Sequence, residues 1–155
     1  MLDNFKSKSG FAAVGLDNPK DKQNIGSALR AVGCYNASML AISGQRYNGS
    51  LTDTMKTHRK IPLIEVKDLK DVIPYDCVPV AVDLIEGATP LPEYKHPKRA
   101  FYIFGAEDRT LDDKALSWCK ERIYIPTNSC MNLAATVNVV LYDRLSKQYI
   151  KQGEK

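Results

Sequence analysis

The chain has 155 residues, 44% of them apolar and 26% charged, with a net charge of +4. That length suits one core of useful size and leaves little room for a second, so a single domain over residues 1–155 is expected. No run of about 18 uncharged apolar residues is present, and the opening "MLDNFKSKSGF" lacks the apolar stretch of a signal peptide, which predicts a cytoplasmic protein without a membrane span. The mild basic balance permits a polyanionic partner without requiring one.

In chain order, "FAAVGLD" (Phe11–Asp17) reads as a buried strand and "NIGSALRAVGCY" (24–35) as a helix with Asn24 at its N-cap. "ASMLAIS" (37–43) is the next strand, and the polar segment that follows, through Lys60, has room for another helix. "IPLIEV" and "VPVAVDL" are short β-rich runs with a short helix, "DLKDVI", between them. "EGATPLPEYKHPKR" (86–99) carries three prolines and reads as a restrained loop. "AFYIF" (100–104) and "RIYIP" (122–126) complete the strands, with a helix between them over 111–120.

A long helix follows Asn132. Leu133, Val137, Val140, Leu141 and Leu145 form its face for burial, and Asp143, Arg144, Lys147 and Gln148 are expected in solvent. After Tyr149 the tail, 150–155, is expected to fray. Uninterrupted apolar strands alternating with helices predict an α/β fold, a mostly parallel sheet covered on both faces.

Cys34, Cys77, Cys119 and Cys130 form no C-x-x-C pair, so they read as buried or half-buried free thiols and no metal site is expected. His58 and His96 read as surface histidines.

Ligands of open α/β sheets bind at the carboxyl ends of the strands, which directs attention to three loops. In "NIGSALR", Gly26 and Arg30 lie four apart near a helix N-terminus whose free N–H groups favour anions, although capping, close packing and a solvated cation explain each residue singly. In "FGAEDRTL", Gly105 lets backbone approach closely, and Glu107 can accept from loop amides or serve the next helix. In "IPTNSCMNLAA", Asn132 can clamp a loop, orient a substrate or simply cap. Each signal is weak by itself.

Together, in this order and spacing, the loops resemble the three motifs of the SPOUT superfamily, in particular its SpoU/TrmH-type RNA ribose 2′-O-methyltransferases. Asn24, Gly26 and Arg30 match N-x-G-x-x-x-R of the first motif. Gly105 and Glu107 match G-x-E of the second; Ile125, Pro126, Met131 and Asn132 match the third. The resemblance extends from about Ala12 to Tyr149. Thr110 stands where a second Gly is usual, Cys130 where Ser is common, and Ala134 where Ser is frequent.

The resemblance implies a C-terminal deep trefoil knot and a pocket for S-adenosylmethionine formed by Asp83, Leu84, Gly105, Glu107, Ile125, Cys130 and Met131. It implies transfer of a methyl group to an RNA ribose 2′-hydroxyl without a metal. Arg30 is the leading catalytic residue, a guanidinium that holds a phosphate and stabilises a developing alkoxide, because its pKa above about 12 makes it a poor resting base. Asn24 and Asn132 position the ribose and Arg30, and Glu107 organises the loops.

Lys56, Arg59 and Lys60 of "KTHRK" join Arg30 as candidate phosphate contacts, against the plainer reading of a solvated charge run. The implied partners are RNA and a second copy of the chain, since relatives of this kind are homodimers. Minimal relatives modify tRNA, which makes the wobble ribose the first expectation and leaves ribosomal RNA open. A knotted RNA- or S-adenosylmethionine-binding module that has lost catalysis is the alternative, and Thr110, Cys130 and Ala134 favour it. An ordinary nucleotide-binding α/β protein is a distant third, because neither G-x-G-x-x-G nor a P-loop is present.

Overall fold

In the computed structural model, which describes residues 10–49, 51 and 61–153, seven strands form one sheet. They are β1 (Phe11–Asp17), β2 (Leu40–Ser43), β3 (Leu63–Val66), β4 (Val78–Val82), β5 (Thr89–Pro90), β6 (Arg99–Phe104) and β7 (Glu121–Tyr124). Their order is β3-β2-β1-β6-β4-β7-β5, and every adjacent pair is parallel. Parallel neighbours need crossovers, and α1 (Lys22–Cys34) and α2 (Asp113–Trp118) supply two of them; α3 (Leu133–Gly153) closes the chain.

Period-two alternation along the central strands divides the core. Val14, Leu16, Tyr102 and Phe104 face α1 and α3, where Ile25, Leu29, Val32, Val137, Val140 and Leu141 complete one apolar layer. Ala13, Phe101 and Ile103 face the other way, onto Leu69 of a 3₁₀ turn (Leu69–Val72) and Leu111 and Ala115 around α2. Each fully buried Leu, Ile or Phe contributes about 1.5–3 kcal/mol, so the central strands anchor everything else. The expected parallel sheet with helices on both faces is what forms.

Several boundaries differ from expectation for local reasons. α1 begins at Lys22, because Asp21 takes the N-cap and its carboxylate accepts the Gln23 amide at 2.8 Å. Asn24 is therefore no cap; it lies inside the first turn, only 8% exposed. β2 starts at Leu40, since the Ala37 amide is spent on the Val32 carbonyl at the end of α1. β5 was not expected: its Pro90 is tolerated because the strand is at the sheet edge. α3 continues to Gly153, past the point where fraying was expected. Among the thiols, Cys34 and Cys130 are exposed rather than buried, Cys119 is half-buried and Cys77 buried, and all are free.

The largest departure is on the polar side of α3. Arg144, expected in solvent, is only 7% exposed, and its guanidinium donates to the Pro97 and Lys98 carbonyls and the Tyr102 hydroxyl at 2.8–3.0 Å. Lys147 donates to the Leu91 and Tyr94 carbonyls and pairs with Asp143 at 2.7 Å. Both are buried or half-buried because the proline-containing loop before β6 ends several carbonyls against α3, and only long cationic side chains reach them. His96, expected at the surface, has a side chain only 6% exposed.

The hydrogen bonds fix its tautomer. Arg144 donates to the Tyr102 oxygen, the Tyr102 hydroxyl donates to His96 Nδ1 at 2.7 Å, and His96 Nε2–H donates to Asp143 at 2.7 Å. A second ring proton, on Nδ1, would displace the Tyr102 hydroxyl proton from this bond. Burial accordingly pulls the His96 pKa down to about 4, against the pull of Asp143 and with help from Lys147 and Arg144.

A histidine whose pKa is depressed by folding stabilises the native state fully above its unfolded value, about 6.5, and loses that contribution as pH falls toward 4. Urea denaturation is expected to show stability falling by up to about 3 kcal/mol across that window in the wild type. In His96→Gln, whose side chain can occupy the same bonds without titrating, the slope should flatten. Superimposable pH profiles would show that His96 is not held neutral.

Candidate active site

The carboxyl ends of β6, β4 and β7 lie side by side, so the loops that leave them border one cleft of about 750 Å³. Its walls are residues 82–84 after β4, 104–110 after β6 and 124–131 after β7, with Leu133 and Thr136 of α3 behind. The volume falls in the range of nucleotide-sized ligand sites.

Asp83 holds the first two walls together. Its carboxylate accepts the Leu84 and Leu111 amides, each at 2.8 Å. The second bond pins the loop after β6, and it leaves no room for a side chain at position 105: a Cβ on Gly105 would stand 2.5 Å from the Asp83 oxygen. Here glycine is needed for close approach rather than for an unusual φ. Leu84 is left 77% exposed at the rim.

The deeper constraint is a chain of side-chain hydrogen bonds joining loops far apart in sequence. Asn132 Nδ2 donates to Asn24 Oδ1 at 2.8 Å across 108 residues, and Asn24 Nδ2 donates to Glu107 Oε1 at 2.9 Å across 83. Glu107 also accepts the Lys20 and Asp21 amides at 3.0 and 3.3 Å. Only one orientation of each amide works. A carboxylate can only accept, so Asn24 must turn its NH₂ to Glu107 and its oxygen to Asn132, and the Asn132 oxygen is left to cap the Ala135 amide at 3.1 Å.

Asn132 is thus both a clamp and a cap. Glu107 is held ionised by this arrangement: burial works to raise its pKa, but the Lys20 amide, the Asn24 side chain and the Glu107 and Asp21 amides outweigh it and bring the value down.

The third wall is built differently. Residues 126–130 are exposed, and their side-chain bond is Thr127 Oγ1 to the Ser129 carbonyl at 2.7 Å. Ile125 at one end and Asn132 at the other set where this loop can lie.

The comparisons with known proteins agree with this layout. The model of the SpoU rRNA Methylase family matches residues 12–142. The chain belongs to that family. Its fold resembles the SpoU methyltransferase AviRb from Streptomyces viridochromogenes in complex with AdoMet, at 19% identity and TM-score 0.78, covering 96% of this chain and 62% of that one. It also resembles the A. aeolicus TrmH/SpoU tRNA modifying enzyme, at 16% identity and TM-score 0.78, covering 96% and 80%. A structure described for the 2-OH methylation of C/U34 on tRNA aligns at 20% identity and TM-score 0.76, covering 92% and 98%. The chain spans less than two thirds of the length of AviRb, 62% in the AdoMet complex and 65% in a second AviRb structure. No curated protein sequence matches closely enough to add a relative.

Within this SpoU family chain, all seven residues expected around the cofactor, Asp83, Leu84, Gly105, Glu107, Ile125, Cys130 and Met131, line the cleft. Asn24 and Asn132 stand behind it, joined to Glu107. Arg30 does not meet them. It lies on the exposed stripe of α1 with Gln23, Ser27 and Cys34, outside the cleft lining of its own chain, and its side chain has no hydrogen-bonding partner among the described residues. Lys56, Arg59 and Lys60 lie outside the described residues, as does His58.

Sequence reasoning missed Arg46 and Asp108. Arg46 Nη1 and Nη2 grip the Asp108 carboxylate, both at 2.8 Å, and Asp108 lines the cleft. Asp108 is not among the matched residues of the second motif and Arg46 falls in no motif, so no local pattern marks them.

Replacing Asn24 by Asp keeps its shape and the acceptor for Asn132 but sets a second carboxylate against Glu107. A loss of about 3 kcal/mol is expected at pH 7, shrinking as pH falls toward 4, where one proton relieves the repulsion. Urea denaturation at both pH values checks this. An equal cost at the two would mean that the Asn24 and Glu107 side chains do not meet.

Proposed function

We propose that the chain is an S-adenosylmethionine-dependent RNA methyltransferase acting on a ribose 2′-hydroxyl, with tRNA as substrate and the wobble ribose as first choice. The observation that carries this reading is the Asn132–Asn24–Glu107 chain, which ties all three motif loops around one cleft. Membership of the SpoU family and the likeness to a structure described for 2-OH methylation of tRNA support it. A deep trefoil knot is part of the same reading; the placement of β6 between β1 and β4, and of β7 between β4 and β5, is compatible with it.

The cleft suits the cofactor. Leu84, Ile125 and Met131 offer apolar contact, and the exposed 126–130 backbone offers amides and carbonyls to a purine edge. Bound there, S-adenosylmethionine supplies an activated methyl group, so the protein's task is alignment and easing loss of the hydroxyl proton. Arg30 holds the RNA phosphate and stabilises the oxygen as it gains charge. Asn24 and Asn132 fix the loops that orient the ribose, and ionised Glu107 holds them together.

Arg30 reaches such a site in a homodimer. α1 and α3 share one sheet face, and the outer side of α3 exposes Val139, Tyr142 and Ile150 in one sector, with Tyr142 edge-on to Tyr35 at 6.3 Å. An apolar sector that meets the end of α1 at Tyr35 fits a second copy of the chain, and such pairing would make the exposed Arg30 available to the partner's cleft.

Tyr142→Asp is expected to convert the dimer to monomer in sedimentation analysis and to abolish methyl transfer. A fully active monomer would refute the shared site. Arg30→Ala should lower transfer of radiolabelled methyl groups to bulk tRNA by at least about a hundredfold while the unfolding midpoint stays put, the scale of losing a group that stabilises transition-state charge. Full activity in this variant overturns the assignment. Calorimetric cofactor binding by the wild type with no transfer to any RNA tested would instead favour the binding-module reading, which Thr110 and Cys130 on the cleft wall keep in view.

A further inference from the structure

The turn after β1, the turn after β2 and the second-motif loop are locked together by residues that none of the three motif matches includes. Asn18 adopts a left-handed φ of 54°, and its amide donates to Ser43 Oγ at 3.1 Å, while the Ser43 hydroxyl donates to Asp17 at 3.1 Å. Gly44, at φ 79°, packs so closely on the Asn18 side chain that a Cβ there would collide with it. Arg46 extends this lock across the sheet edge. Its Nε and Nη2 donate to the Asn18 carbonyl at 3.1 and 2.7 Å, and its Nη1 and Nη2 take both oxygens of Asp108 at 2.8 Å.

Asp108 is the neighbour of Glu107 on the cleft wall, so this wall is gripped from two sides. Glu107 is held by Asn24 and the Lys20 and Asp21 amides, and Asp108 by Arg46. A planar guanidinium that satisfies a carboxylate and a carbonyl together fixes distance and angle in a way an ammonium cannot. Arg109, at 3.7 Å from Asp108 and half-exposed, is the one other cation paired with it among the described residues, and its geometry is poorer.

We propose that Arg46 is a positioning residue for the cofactor: its bidentate pair with Asp108 sets the 106–110 wall of the cleft and thereby the affinity for S-adenosylmethionine. The proposal rests on the reading of the cleft as the cofactor site. It assigns Arg46 no contact with the reacting atoms. Its expected signature is a raised KM for the cofactor with kcat at saturation preserved, since the wall is preset before chemistry begins.

Titration calorimetry with S-adenosylmethionine tests this in the wild type, Arg46→Ala, Arg46→Lys, Asp108→Ala and the Arg46→Ala/Asp108→Ala double variant. Each single variant should bind about threefold to tenfold more weakly, the upper range for a well-aligned pair near the surface, with the lysine variant no better than alanine. The double variant should be no weaker than Arg46→Ala, because both changes break one link. Thermal unfolding run alongside separates loss of fold from loss of positioning. Asp108→Ala keeps the Asn18 contact and stays informative if removing Arg46 destabilises the chain.

Unchanged affinity in Asp108→Ala and Arg46→Lys, or losses that simply add in the double variant, overturns the proposal while leaving the cofactor site standing. A wild type that fails to bind S-adenosylmethionine overturns the reading of the cleft itself and the proposal with it.

Discussion

Glu107 is the acceptor on which the cleft depends. One carboxylate takes two backbone amides from the turn before α1 and one side-chain amide from within α1, and that last donor passes the constraint on to Asn132 at the head of α3. Each bond contributes only about 1 kcal/mol net, but an unpaired member of a half-buried chain costs more than its bond was worth. The links are therefore cooperative in placement. Any shift of the second-motif loop must move the start of α3 as well, and the hydrophobic core alone would not impose that, because these loops lie beyond the sheet's apolar layers.

α3 is held at its start by Asn132 and again in its second half by Arg144 and Lys147, which reach the carbonyls of the loop leading into β6. Between the two attachments Val137, Val140 and Leu141 are packed on the sheet. A helix fixed at three places along its length cannot slide or rotate to relieve strain at its N-terminus. The buried polar cluster around Tyr102, His96 and Asp143 thus serves the cleft although it sits at the opposite end of the strands.

Much of this was legible in the sequence, and the gaps have physical reasons. Strand and helix identity followed from apolar periodicity, and the three motifs, Arg30 excepted, picked out residues that line or brace one cleft. Asn24 was misread as a cap because Asp21, a better placed acceptor, could not be preferred without knowing where Asn24 pointed. Arg144 follows Val137, Val140 and Leu141 at the i, i+3, i+4, i+7 spacing of the buried stripe, so periodicity favoured burial. Its charge argued for solvent, and only the loop carbonyls, nearly 50 residues earlier, resolve the conflict. Arg46 and Asp108 are 62 residues apart, and such a pair leaves no local trace.

The cleft's walls differ in stiffness, and that difference has a consequence for binding. The 104–110 wall is fixed by Asp83, Glu107 and Asp108 through bonds to three separate segments. The 126–130 wall is exposed, with no backbone–backbone hydrogen bond among the described residues and a single turn-closing contact at Thr127. A ligand entering the cleft meets one surface already shaped and one that must be ordered, so the entropic cost of binding falls on the third-motif loop. Cys130, one of the departures from the family pattern, falls on that loop, while Thr110 falls on the other wall. Because a compliant loop presents its backbone and can adjust around a changed side chain, a thiol in place of a hydroxyl there is easier to accommodate than a change at Glu107 or Asn24, whose side chains are bonded to partners on other segments.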